Sequence, residues 1–139
     1  RKRLVSKKPG GTDGRGILLP DGKASQGRGV AMVPSDYASG LTVTAVIAAQ
    51  NNGNVYSRNR IQYGACGEDC YTHLDDVGYA AVAVASADKN NCIQEVALTN
   101  EAIGDIFHCL YSREATSGSD TVNGSCWLSG WIVEYTADS

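Results

Sequence analysis

The sequence predicts an all-β fold, an antiparallel β-sandwich or a small barrel, on three observations. From residue 29 onward apolar and polar side chains alternate with a period of two, which is typical of strands with one buried face. Turn-forming residues interrupt this alternation at short intervals, which gives about seven or eight strands and no helical stretch. Finally, 16 Gly and 3 Pro occur without a repeat or a long apolar run, which excludes collagen-like, solenoid and membrane-spanning classes.

The clearest pair of strands is predicted within residues 41–65. LTVTAVIAAQ (41–50) alternates, and NNGN (51–54) is a turn signal because Asn and Gly both tolerate positive φ. VYSRNRIQYGA (55–65) follows, with Arg58, Arg60 and Gln62 on its solvent face. We therefore expect these two strands to form a hairpin.

The remaining strands are predicted from shorter apolar runs. They are VAMVP (30–34), GYAAVAVASA (78–87), CIQEVALT (92–99), IFHCLYSRE (106–114) and SCWLSGWIVEY (125–135), while the polar residues 64–77 are predicted as a loop. Strict alternation in the last strand places Trp127, Trp131 and Tyr135 on one face and Cys126 and Leu128 on the other. Both faces of that strand carry apolar side chains, so both need cover.

Charge divides the chain into two predicted regions. Residues 1–28 carry eight basic and two acidic side chains, whereas the other 111 residues carry four and thirteen. The first region is also rich in Gly and lacks apolar periodicity, so we expect an extended basic N-terminal arm (1–28) before a sandwich domain (29–139). Its spread charges suit an acidic protein surface better than nucleic acid, with a plain solvated tail as the alternative. The candidate contact residues are Arg1, Lys2, Arg3, Lys7, Lys8 and Arg15.

The cysteines offer one weak candidate for a metal site. Cys66, Cys70 and His73 form a CxxxCxxH cluster in the acidic loop, but zinc would need a fourth ligand from elsewhere. Cys92 and the two later cysteines fall inside predicted strands, where a thiol is most simply a small buried apolar group. We favour structural thiols, with one disulfide or a metal as the alternatives.

No motif points to catalysis. His108 lies in a predicted strand without a nucleophile elbow around it, so we expect no catalytic residue and no cofactor. Tyr37, Tyr56 and Tyr71 could stack against sugars in a glycan-binding sandwich, although such residues are more often part of a half-buried sheet.

Two segments resemble a known family. VAMVPSDYASGLTVTAVIAA (30–49) and GDIFHCLYSRE (104–114), followed by SGSDTVNG and WLSGWIVEY, resemble in order the opening and closing strands of a jelly-roll domain common in tailed-bacteriophage virion proteins. The resemblance spans residues 16–135, and loop 64–77 departs from it. It implies a jelly-roll fold and a non-enzymatic role as a capsid decoration (cement) protein, head fibre or tail appendage.

The resemblance also implies a location and partners. A decoration protein assembles in the reducing host cytoplasm, where cysteines stay free, and then lies on the virion surface. Its partner would be the major capsid protein, bound through the arm, with self-association as a homotrimer and no membrane contact. We assign Trp127, Trp131 and Tyr135 to the trimer interface. The alternatives are a receptor- or glycan-binding module of a phage fibre and a metal-stabilised module built on Cys66, Cys70 and His73.

Overall fold

The computed structural model describes residues 2–6, 16–85 and 89–138, and of residues 2–6 only the backbone. Along these ranges the strands are β1 (Lys2–Ser6), β2 (Ile17–Leu19), β3 (Ala24–Met32), β4 (Tyr37–Ala49), β5 (Gly53–Gly64), β6 (His73–Asp76), β7 (Ala80–Val84), β8 (Asn91–Ala97), β9 (Ile106–Glu114) and β10 (Cys126–Ala137). None of the described residues forms a helix able to cross a membrane. The predicted all-β class is confirmed.

The strands form two antiparallel sheets. Sheet I has the order β1-β10-β4-β8, and β2 pairs with the end of β10 that β1 leaves uncovered. Sheet II has the order β3-β9-β5-β6, and β7 pairs with the part of β5 that β6 leaves uncovered. This arrangement confirms the predicted β-sandwich.

A single hydrophobic core lies between the sheets. Because successive side chains of a strand point to opposite faces, alternate residues of each long strand enter this core. They include Leu41, Val43, Ala45 and Ile47 of β4, Val55, Ile61 and Tyr63 of β5, Phe107, Cys109 and Tyr111 of β9, and Leu128, Trp131 and Val133 of β10. The predicted period of two therefore identifies the buried face of β4, β5 and β9.

The predicted hairpin is wrong. β4 and β5 follow each other closely in sequence, but β4 pairs with β10 and β8 in sheet I, whereas β5 pairs with β9, β6 and β7 in sheet II. The turn at residues 50–52 therefore carries the chain from one sheet to the other. Alternation and a turn signal are the same for a hairpin and for such a corner, so the sequence pattern did not distinguish them.

The predicted faces of the last strand are also wrong. The register of β10 against β4 shifts between Leu128 and Gly130, and Gly130 has φ +143°. This β-bulge reverses the alternation, so Cys126 and Leu128 share the core face with Trp131 and Tyr135, whereas Trp127 lies on the outer face and is only partly buried. The sequence placed Trp127 and Trp131 together because strict alternation assumes no bulge.

The structure does not confirm an arm that ends at residue 28. β1 and β2 pair with β10, and β3 pairs with β9 along its whole length. The prediction placed residues 24–28 of β3 in the arm because residues 1–28 are rich in Gly and lack apolar periodicity. Yet a Cβ at Gly27 would come within 2.2 Å of the Leu128 side chain, and one at Gly29 within 2.6 Å of the Trp131 ring. These glycines make room for large side chains, so they belong to a packed strand.

The predicted loop at residues 64–77 is partly wrong as well, because its last residues form β6. Tyr63 donates a hydrogen bond from its hydroxyl to Asp75 Oδ2 (2.6 Å), and the backbone N–H groups of Thr99 and Asn100 donate to the same oxygens. Burial and the bond to Asp75 raise the pKa of Tyr63. These bonds fasten β6 to the segment that follows β8.

Candidate binding surface

The outer face of sheet II carries an ordered arrangement of arginines, which we call the basic face and define by Arg28, Arg58 and Arg60. Arg28 of β3 lies opposite Leu110 of β9, which lies opposite Arg60 of β5. Arg58 precedes Arg60 by two residues on β5, so the two side chains share a face. The three arginines therefore share one sheet surface, on which Leu110 separates Arg28 from Arg60.

An apolar border continues the basic face toward one end of the sheet. The next row holds Val30, His108, Gln62 and Leu74, and Met32 lies one step beyond Val30. Val30, Met32 and Leu74 are 59%, 58% and 51% exposed. Aliphatic side chains exposed together beside arginines are typical of protein-binding surfaces, where Arg and Met are enriched.

Arg58 is already engaged at one edge of this face. Its Nε donates to Asp76 Oδ2 at 2.7 Å and its Nη2 donates to the same oxygen. Its guanidinium also lies 5.9 Å from the centre of the Tyr79 ring, which stacks on Tyr56 with ring centres 5.3 Å apart. These contacts hold the segment between β6 and β7 against β5.

Asp76 is stabilised in its ionised form. Partial burial alone would raise its pKa, but the hydrogen bonds from Arg58 and from the Gly78 N–H outweigh this effect and lower the pKa below its usual value. A carboxyl group whose pKa is lower in the folded state than in the unfolded state stabilises the fold at pH values above its unfolded-state pKa. This stabilisation is lost as the pH falls through the folded-state pKa.

We therefore expect Asp76→Asn to lower the free energy of unfolding by about 0.5–1 kcal/mol at pH 7, a magnitude typical of partly exposed ion pairs. The difference from the wild type should shrink as the pH falls below about 4, because Asp76 then becomes protonated first in the unfolded and then in the folded state. Urea unfolding across this pH range measures it. Glu95→Gln, at an exposed position of β8, is the control and should change stability by less than about 0.5 kcal/mol. A pH-independent cost of Asp76→Asn would contradict the assignment.

The predicted metal cluster does not assemble. Cys66 and Cys70 are exposed, free thiols in the turns after β5, and the His73 ring packs against Tyr63 with centres 5.2 Å apart. Within the described ranges, no three His, Cys, Asp or Glu side chains are grouped so that they could hold a metal ion. The spacing in sequence does not bring these three side chains to one point because His73 begins a strand.

The five cysteines fall into two classes. Cys66, Cys70 and Cys92 are exposed, so the expectation that Cys92 is buried is wrong, whereas Cys109 and Cys126 lie in the core. Burial raises the pKa of Cys109 to about 12 and that of Cys126 to about 11. Since the thiolate is the reactive form, buried thiols with raised pKa values react slowly.

Alkylation with iodoacetamide at pH 8 should therefore label three thiols rapidly and the other two only after denaturation. Mass spectrometry of the native and denatured protein counts the labels. Fewer than three rapid labels would mean that exposed cysteines are blocked, and more than three would mean that the core is open.

The predicted interface aromatics do not lie together on a surface. Trp131 and Tyr135 are almost fully buried within a single copy, and they donate hydrogen bonds to Asn59 Oδ1 and Asp36 Oδ1 respectively. They therefore serve the core and present no surface to a neighbouring copy. Trp127 is the one predicted interface residue on the outer face of β10, where it lies opposite Leu18 of β2, which is 50% exposed.

The predicted arm residues divide between two groups. Lys2 and Arg3 lie in β1, whose backbone pairs with β10. Arg1, Lys7, Lys8 and Arg15 lie outside the described residues.

The tyrosines of the glycan alternative do not share a face. Tyr37 begins β4 in sheet I, its hydroxyl donates to Glu101, and burial together with Glu101 raises its pKa to about 12. Tyr56 lies on sheet II with its ring stacked on Tyr79, and Tyr71 is exposed in the turns before β6.

Sequence reasoning identified part of the basic face. It placed Arg58 and Arg60 on the solvent side of β5, but it assigned Arg28 to the arm and so missed the alignment across β9. The signal that could have found it is alternation in ASQGRGVAM, where Arg28 and Val30 are separated by glycines.

Comparison with models of protein families, with curated proteins and with solved structures found no match to this chain.

Proposed function

We propose that this chain is a jelly-roll capsid decoration protein of a tailed bacteriophage, which binds the head shell and stabilises it. The observation that carries the proposal is the strand order. Setting aside β1 and β6, sheet I runs β2-β10-β4-β8 and sheet II runs β3-β9-β5-β7, with successive strands mostly alternating between the sheets. This order supports a jelly-roll arrangement, in which two four-stranded sheets face each other and which is common in viral capsid domains.

The position of the resembling segments supports the proposal. Residues 30–32 of the first segment pair with residues 106–108 of the second in sheet II. In sheet I, β4, which lies in the first segment, pairs with β10, which the second segment includes. The two segments that resemble the phage family are therefore neighbours in both sheets, as the opening and closing strands of one domain should be.

The physical requirements of decoration are modest. A shell presents the same site many times, so a rigid domain needs only moderate affinity at each site when neighbouring copies reinforce one another. The sandwich supplies rigidity, and the basic face and its apolar border supply surface for contact. The basic residues at positions 1–15 would add charge toward an acidic shell.

The binding test uses shells purified from phage particles that lack this gene. The purified chain should co-sediment with these shells and reach a fixed ratio of copies to shell protein. Shells that already carry the chain are the control, and they should take up little more. No co-sedimentation at micromolar concentration would contradict the proposed function.

Three-fold self-association belongs to the same proposal, because local three-fold positions of a shell match a trimer. Trp127 and Leu18 on the outer face of sheet I are the proposed contact. We expect light scattering to give a trimer for the wild type and smaller species for Trp127→Ala. A wild-type monomer at micromolar concentration would contradict the trimer.

A further inference from the structure

We infer that the basic face binds a carboxylate-bearing, apolar-edged surface of another protein, with Arg28 and Arg60 as the anchoring residues. This inference rests on the proposed function for the identity of the partner, the shell protein, and it moves the main contact from the N-terminal residues to sheet II.

The first argument is the distribution of positive charge. Only four basic residues follow residue 28, and one of them, Arg113, is buried. Lys89 precedes β8, which belongs to sheet I. Of the four basic residues, Arg58 and Arg60 are therefore the two on the outer face of sheet II. With Arg28 they form a positive surface on a body that carries thirteen acidic residues. A surface of opposite sign to its surroundings selects an acidic partner and orients it.

The second argument is that two of the three arginines have no acidic partner among the residues that the structure describes. Asp76 binds Arg58, and within the described ranges no carboxylate lies at ion-pair distance from Arg28 or Arg60. Arg60 stands opposite Asp76 and helps to lower its pKa, but it makes no hydrogen bond with it. The guanidinium donors of Arg28 and Arg60 thus remain available for a ligand.

The third argument is the state of Arg60 itself. Its Nε is buried and has no hydrogen-bond partner in the described structure. A buried donor without an acceptor costs free energy, and a carboxylate would remove that cost once the atoms that cover the Nε move aside. Carboxylates bind the planar guanidinium through two parallel hydrogen bonds, which favours an acidic side chain over a neutral one.

The fourth argument is the apolar floor between the two arginines. Leu110 points outward between Arg28 and Arg60, yet it is only 6% exposed, because the neighbouring side chains cover it. Val30, Met32 and Leu74 are exposed in the rows alongside. A partner that places an acidic side chain between the arginines would therefore also bury aliphatic surface, and this combination fits a protein rather than a free anion.

The first arm of the test uses the chain alone. A short peptide of alternating Glu and Leu is titrated into nitrogen-15-labelled protein, and a peptide with Gln in place of Glu is the matched probe. The Glu peptide should shift the Arg60 Nε–H resonance, and the Gln peptide should not. Arg60→Gln should weaken binding by about tenfold or more, because a hydrogen bond to a charged group contributes about 1.5–3 kcal/mol.

Matched variants separate a specific site from general positive charge. Arg28→Gln should also weaken binding, and Arg60→Lys, which keeps the charge but loses the two-pronged geometry, should be intermediate. Arg58→Gln removes the same charge from an arginine that Asp76 already occupies, so its effect should be smaller. Equal losses for Arg58→Gln and Arg60→Gln would overturn the inference. Thermal unfolding of each variant establishes that it is folded.

The second arm measures binding to undecorated shells. Arg28→Gln combined with Arg60→Gln should reduce occupancy more than Lys7→Gln combined with Lys8→Gln, which removes the same charge from the N-terminal segment. Wild-type occupancy of the sheet II variant would overturn the inference and leave the proposed function standing. If the wild type does not bind shells, the proposed function fails, and the peptide titration alone decides the inference. Self-association that is lost on changing Arg28 and Arg60 would show that a second copy occupies this face and would overturn the assignment.

Discussion

Replacing Arg113 with Met is expected to destabilise the protein by about 3–5 kcal/mol, because the change leaves a buried carboxylate without its counter-ion. The Arg113 side chain is fully buried. Its Nε and Nη2 donate to the two oxygens of Asp120 at 3.0 and 2.9 Å, and its remaining bonds go to the carbonyls of Leu19, Val122 and Gly124. One side chain thus joins β9 to the end of β2 and to the loop that precedes β10.

Arg58→Met is the matched control. It removes the same group from a partly exposed ion pair, so its expected cost is at most about 1 kcal/mol. Urea unfolding measures both variants, and the comparison uses the midpoint at an unchanged m value. Equal costs for the two substitutions would show that Arg113 does not organise this end of the sandwich.

Replacing Trp131 with Ala is expected to cost about 3–5 kcal/mol, because a large buried ring is lost and the cavity is only partly closed. The indole Nε1 donates to Asn59 Oδ1 at 3.1 Å, and Asn59 in turn donates to the carbonyls of Val43 and Gln94. Trp131→Phe keeps much of the volume but leaves the Asn59 oxygen without a donor, so we expect an intermediate cost of about 1–3 kcal/mol.

The comparison with Trp127 separates core from surface. Trp127→Ala should change self-association and should cost less stability than Trp131→Ala, since Trp127 lies on the outer face of β10 and is only partly buried. Unfolding by urea and light scattering, applied to both variants, give the two quantities. A Trp131→Ala protein as stable as the wild type would contradict the core position of this residue.

The sequence was informative where each strand follows one simple rule. The alternation in IFHCLYSRE predicts β9 with the bounds that the structure has, and the apolar residues of β4 and β5 identify the core face. It was misleading where a single residue changes the rule. The bulge at Gly130 reverses the faces of β10, and no pattern of apolar residues marks it in advance.

Pairing between strands was harder to predict than the strands themselves. The turn after β4 has a hairpin sequence but connects two sheets, since the choice is made by contacts of β4 with β10 and of β5 with β9. The glycines of β3 have a structural role that the sequence does not reveal, because Gly27 and Gly29 leave room for the side chains of Leu128 and Trp131. The basic face depends on the pairing of β3 with β9 and of β9 with β5. The sequence therefore predicted the solvent exposure of Arg58 and Arg60 but not their alignment with Arg28.

The number of copies of this chain on purified virions tests the central claim most directly. Quantitative mass spectrometry can count these copies against the major shell protein. A decoration protein that occupies local three-fold positions should be present in a fixed ratio to the shell protein, on the order of hundreds of copies per particle. A handful of copies, or none, would contradict a decoration role.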